Sequence, residues 1–275
     1  MYASSSPTSP SAWHVVETAN FTIRGTADRD ALRRTSDACE SLRALLVRQW
    51  FDGASSIRWQ PKCAVVVHAS RADYLRHVGP GGAGTVASAR IERRAGKIVG
   101  RRIDVRPTPE CLASSALAHE LAHVVLADHF AGERLPRWID EGFAVLADSP
   151  AKQSRHRRDL HAALAAGAEY RLAELVTLSE YPSGQHRATF YGQSASLVRF
   201  LVEHGGERRF LDFVASSLEQ GHDQGLRQAY GFGLAELERR WRAAEHDRAT
   251  ELADGAERKA EMPPQLVTVA GPEGG

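Results

Sequence analysis

The chain has no apolar stretch approaching the roughly 20 residues that a membrane span requires. Nor does either charge dominate, with 35 Lys and Arg against 34 Asp and Glu. The first absence excludes a membrane-spanning helix, and the second argues against nucleic acid or another polyanion as partner. Cysteine is scarce: Cys39, Cys63 and Cys111 are too few and too spread for a structural zinc knot. Cys39 and Cys63 could pair in an oxidising compartment, leaving Cys111 single, but reduced buried thiols are the expected state. The glycine-rich run Gly79–Gly84 has no following Lys-Ser/Thr pair and leads into a strand, so it reads as a loop and not as a phosphate cradle. Residues 1–11 are rich in Ser and Pro without the apolar centre of a signal peptide. They read as a flexible leader, and on this sequence alone the expected location is the cytoplasm. No internal repeat is visible.

What the chain does have is the segment Ala118-His119-Glu120-Leu121-Ala122-His123. On a helix, two histidines four residues apart share a face and can bind one ion, with the glutamate beside them. From Leu112 to Ala127 the surrounding residues are apolar or small nearly all round, which marks a helix buried on most of its circumference. Burying two imidazoles and a carboxylate costs several kcal/mol unless hydrogen bonds or a metal hold them. The bland alternative is a hydrogen-bonded core cluster.

Two positions compete for a third ligand. His129 stands where the pattern HExxHxxGxxH places its last histidine, but the glycine of that pattern is Leu126 here, and the later methionine turn is missing, since Met1 and Met262 are the only methionines. His129 therefore reads as a surface or helix-end residue. Glu141 is the better candidate. Gly132 and Pro136 separate the first helix from a second, Arg137 to Asp148, on which Trp138, Glu141, Gly142 and Val145 share a face. Trp138 and Val145 would anchor that face, Gly142 would permit close helix approach, and Glu141 would point at the histidines.

HELAH followed by LPRWIDEGFA resembles the gluzincins, zinc metallopeptidases with two His and one Glu as ligands, and in particular the peptidase MA-like domains of bacteria. FYGQSASLVRFLVEHGG and AYGFGLAELERRW are similar to the helical region that follows in those domains. The resemblance spans roughly residues 12–245 and is specific from His119 to Gly142. It implies one zinc ion (Zn2+) per chain held by His119, His123 and Glu141, with Glu120 as general base and a peptide or protein as substrate. Thermolysin-type members have an Asp four residues after the ligand Glu, where this chain has Val145; Asp140 or Asp148 could take its place. The resemblance also implies a substrate-binding strand edge, at Lys97–Val105. There Arg101, Arg102 and Arg106 could steer an acidic substrate. A second donor is expected for the charge of the transition state. Tyr191, on the apolar face of its helix, is the choice, with a structural core Tyr as the alternative and His186 and Arg187 as further candidates.

The expected fold class is α+β, a thermolysin-like metallopeptidase fold. Residues 12–130 would form a mixed α/β lobe ending in the HExxH helix, residues 131–246 an all-helical lobe carrying the third ligand, and residues 247–275 a disordered tail. Strands are expected at Phe21–Arg24, Ala64–His68, Thr85–Glu92 and Lys97–Val105. Helical spacing runs from Asp28 to Trp50 with Leu32, Leu42, Leu45, Leu46 and Trp50 as core. The expected activity is a zinc-dependent peptidase. The alternative is a catalytically inactive metal-binding scaffold or peptide-binding protein of the same fold.

Overall fold

The structure is a computed structural model that describes residues 13–51, 58–106, 115–131 and 133–261. The leader and Cys111 lie outside the described residues. Strands β1 (His14–Glu17) and β2 (Phe21–Gly25) pair antiparallel. Helix α1 (Arg29–Trp50) starts where the Asp28 carboxylate accepts the Ala31 N–H at 2.8 Å, satisfying one of the first-turn donors. Leu32, Cys39, Leu46, Val47 and Trp50 form its buried stripe. Leu45, expected in that core, is instead 50% exposed, because the stripe passes through Arg43 and Val47 and leaves Leu45 on the far side.

α1 carries the chain across to β3 (Cys63–Val67), which lies parallel to β2. Parallel neighbours require such a crossover. Helix α2 (Arg71–Val78) is capped by Ser70, whose hydroxyl accepts the Asp73 N–H at 3.0 Å. The glycine-rich run then forms a 3₁₀ turn, Pro80–Gly84, where the sequence suggests an irregular loop; Tyr74 and Val78 close over Gly82 so tightly that a β-carbon there would meet Val78 at 2.8 Å. β4 (Ala87–Arg94) and β5 (Lys97–Val105) form a hairpin whose turn residues, Ala95 and Gly96, both have positive φ.

The sheet order is β1-β2-β3-β5-β4. This corrects one expectation: Lys97–Val105 is not an edge. β5 pairs parallel with β3 through Arg101–Val105 and antiparallel with β4, so the outermost strand on that side is Ala87–Arg94.

After the sheet the described residues hold helices and no strand: α3 (Ser115–His129), α4 (Arg137–Leu146), α5 (Pro150–Ala166), α6 (Leu172–Leu175), α7 (Gln185–Gln220, broken at Gly206), α8 (His222–Tyr230) and α9 (Leu234–Glu261). α5 begins with Ser149 as its cap and Pro150 in its first turn. α9 continues to Glu261, so residues 247–261, read from composition as disordered tail, are helical; residues 262–275 lie outside the described part. The molecule is of mixed α+β class, and it divides into two compact units, Met1–Leu234 and Ala235–Gly275. In the first unit α3 packs against α1, α4, β4 and β5. Leu121, Val124 and Leu126 are completely buried there, each worth roughly 1.5–3 kcal/mol relative to exposure.

Candidate metal centre and active site

α3 presents His119, Glu120 and His123, and the next helix brings a carboxylate to meet them. On α4, Trp138, Ile139, Phe143 and Val145 are buried within 1% exposure and fix the rotation of the helix. Gly142 admits α7: a β-carbon at Gly142 would stand 2.4 Å from the Ser194 carbonyl oxygen. Held this way, Glu141 is 3% exposed, with its Oε2 at 3.5 Å from His119 Nε2 and 3.7 Å from His123 Nε2. One ligand atom from each of the three residues lies within 4.8 Å of the others, an arrangement that can hold a metal ion.

The outer nitrogens of both rings are tied down. His119 Nδ1 lies 3.2 Å from Asp148 Oδ2, and His123 Nδ1 lies 2.7 Å from Asp140 Oδ1. An Nδ1–H donated to each carboxylate leaves each Nε2 lone pair directed at the common point. Both residues that sequence reasoning offered for this role fill it, one per histidine, although neither stands at the position that thermolysin-type members use. Lys152 Nζ balances Asp148 at 2.8 Å.

The cluster stabilises positive charge. Burial alone would lower the basicity of His123, yet Asp140 and Glu141 carry it up to about 10; burial of His119 is likewise outweighed by Asp148 and Glu141. Burial would raise the Glu141 carboxyl, but His123, His119 and Tyr181 hold it down at about 2. Glu141 Oε2 is buried and has no hydrogen-bond partner. Such an oxygen costs about 1–3 kcal/mol unless something pairs with it. Two imidazole nitrogens and one carboxylate oxygen, converging with their partners outside, are a donor set that suits zinc.

Glu120 faces the sheet. Its Oε2 accepts the Ala89 N–H of β4 at 2.7 Å, and burial raises its carboxyl above the ordinary range, reinforced by Glu141 and opposed by the two histidines. Arg106 N–H donates to Val86 O at 2.9 Å, so Val86, Ser88, Arg90 and Glu92 direct their backbone groups into the sheet, while Ala87, Ala89 and Ile91 direct theirs outward. The engagement of Ala89 by Glu120 fits that alternation.

Tyr181 is a site residue that sequence reasoning missed. It lies between α6 and α7 with no periodic pattern around it, and its hydroxyl donates to Glu141 Oε1 at 2.5 Å. Arg137 holds the loop by donating to the Ser179 carbonyl, and its guanidinium lies 4.1 Å from the centre of the Tyr181 ring. Tyr191 stacks on Tyr181 at 6.4 Å and on His156 at 5.8 Å; after burial, the charge of Glu141 and then that of Glu120 raise its hydroxyl. His129 ends α3 against Phe51 and outside the cluster. His186 and Arg187 are exposed in the first turn of α7, and Arg187 reaches the Tyr181 ring at 5.9 Å.

A sheet resting on an HExxH helix, with a glutamate from the following helix closing the donor set, defines the metallopeptidase class of scaffold. A family model of the peptidase MA superfamily matches residues 101–246, just over half of the chain, and the chain belongs to that superfamily. No curated protein matches it. Among the described residues no helix is long and apolar enough to cross a membrane.

Proposed function

We propose that the protein is a zinc-dependent peptidase of thermolysin-like arrangement, with one zinc per chain held by His119, His123 and Glu141. The observation that carries the reading is Glu141 Oε2, buried without a hydrogen-bond partner and facing two imidazole nitrogens whose other sides are already bonded. Bound there, zinc would supply Lewis acidity, making a water acidic near neutral pH and polarising the scissile carbonyl.

The chain's own residues supply the rest. Glu120 is the general base; with Oε2 held by the Ala89 N–H, Oε1 takes the proton from water and returns it to the leaving amine. Its raised carboxyl makes that return easier. The outward backbone groups of Ala87 and Ile91, together with the Ala89 carbonyl, can pair with an extended peptide, placing its backbone beside Glu120. Tyr181 fixes the orientation of Glu141, leaving only Oε2 to face the histidines. Tyr191 is the proposed donor to the developing oxyanion.

Metal analysis of the purified protein and of Glu120→Gln and Glu141→Ala, beside hydrolysis of a mixed peptide library with and without chelator, tests this. One zinc per chain in wild type and Glu120→Gln but not in Glu141→Ala, with chelator-sensitive cleavage absent from Glu120→Gln, is the expected result. Zinc without cleavage by the wild type points to a metal-binding scaffold, and no zinc at all refutes the reading.

A further inference from the structure

β4 carries an uncompensated basic surface on the edge that leads away from Glu120. Beyond Ala89 the strand reads Arg90-Ile91-Glu92-Arg93-Arg94, and Lys97 opens β5 across the turn. Among the described residues none of these four cations has a carboxylate within ion-pair distance, whereas Arg101 pairs with Asp128 and Arg102 with Asp104. Glu92, the one acid of the strand, already faces Arg102, whose charge it supports. Arg90, Arg94 and Lys97 are exposed, and Arg93 keeps a buried Nε without a hydrogen-bond partner. Arg90 reaches the His77 carbonyl, and near the opposite end of the strand Arg106 is bonded to the Thr85 carbonyl and Arg71 to that of Ala83.

We infer that this edge selects an extended acidic peptide, with acidic side chains on the flank of the scissile bond that lies along Ile91 to Arg94. The inference rests on the proposed peptidase reading and adds the substrate class to it. At about 3.3 Å per residue, Ala89 to Arg94 spans about 17 Å, so the preference falls two to five residues from the cleaved bond. Two arrangements converge here: outward backbone groups that give a strand its pairing, and side-chain charge that no carboxylate among the described residues pairs with. An acidic strand answers both, while a basic one would place like charges opposite each other.

The test uses the full-length, zinc-loaded Glu120→Gln protein, so that binding is read without turnover. Fluorescent decapeptides of one backbone sequence carry four Glu, four Gln or four Lys on either flank, and a single-stranded oligonucleotide serves as a non-peptide polyanion. The Glu peptide with the charges on one flank should bind roughly tenfold more tightly than the Gln peptide at low salt, each exposed pair contributing about fivefold at most. That advantage should vanish at about 0.5 M salt. Arg93→Gln with Arg94→Gln should remove most of it, so that the Glu and Gln peptides bind nearly alike. Equal binding of Glu and Gln peptides, or tighter binding of the oligonucleotide, overturns the inference. Cleavage of the same peptides by wild type separates the two readings. Cleavage indifferent to charge refutes the acidic selectivity alone, and acidic binding without any cleavage refutes the peptidase alone. Neither binding nor cleavage refutes both.

Discussion

At the residue scale the two histidines of the proposed metal site owe their aim to the carboxylates bonded to the far side of each ring. The HExxH spacing was legible because it is local: four residues along a helix is one turn, whatever the rest of the fold does. The carboxylates behind the histidines were legible only as candidates: Asp140 and Asp148 flank Glu141 on α4 and its exit, and only the packing of α4 decides which histidine each one meets. Tyr181 carried no signal, because a lone tyrosine in a loop has no periodicity to read. Asp140 is the cleaner of the two carboxylates to remove, being partly exposed and bonded to His123 without a lysine to strand. Asp140→Ala should lower zinc affinity about 10–100-fold while leaving the stoichiometry at saturation intact. Competition with a chromogenic chelator measures this, and an unchanged affinity would show that the Nδ1 contact does not hold the ring.

The elements of the sheet were legible where they are buried and obscure where they are not. β3 is an almost unbroken apolar run and was plain. β1 spans His14–Glu17 with half-exposed positions, and α2 buries only Tyr74, so neither leaves a stripe in the sequence. The two strands of the hairpin were visible, but not which of them is outermost: both alternate, and the choice is made by β3, which takes β5 as its parallel partner. Leu45 shows the same limit within a helix, where residue type pointed inward and phase pointed outward. Between helices the decisive residue is Gly142, where α7 lies against α4 with the Ser194 carbonyl in the space a methyl group would need. Gly142→Ala should force the two helices apart and cost about 1–3 kcal/mol. Because Glu141 precedes it, zinc affinity should fall as well. Urea unfolding read beside metal titration checks both, and a variant as stable and as tight as wild type would show that the helices have room to move.

On the scale of the whole molecule, Cys39 and Cys63 report on the cooperativity of the first unit from the side opposite the metal donors in sequence. Both are free, both are fully buried, and burial raises both thiols, Cys63 to about 12. A raised thiol favours the folded state below the unfolded pKa of about 8.5, and that contribution is lost as pH rises above it. At pH 8 labelling therefore requires unfolding or a large opening. If α1, the sheet, α3 and α4 unfold together, a metal bound to α3 and α4 protects thiols on α1 and β3. At a thousandfold excess over its dissociation constant that stabilisation is about 4 kcal/mol. In a Cys111→Ser background, chelation should then speed labelling of both remaining thiols by up to about a thousandfold at low reagent concentration. Metal loss that leaves both labelling rates unchanged would mean that the metal centre opens on its own, with the sheet folded behind it.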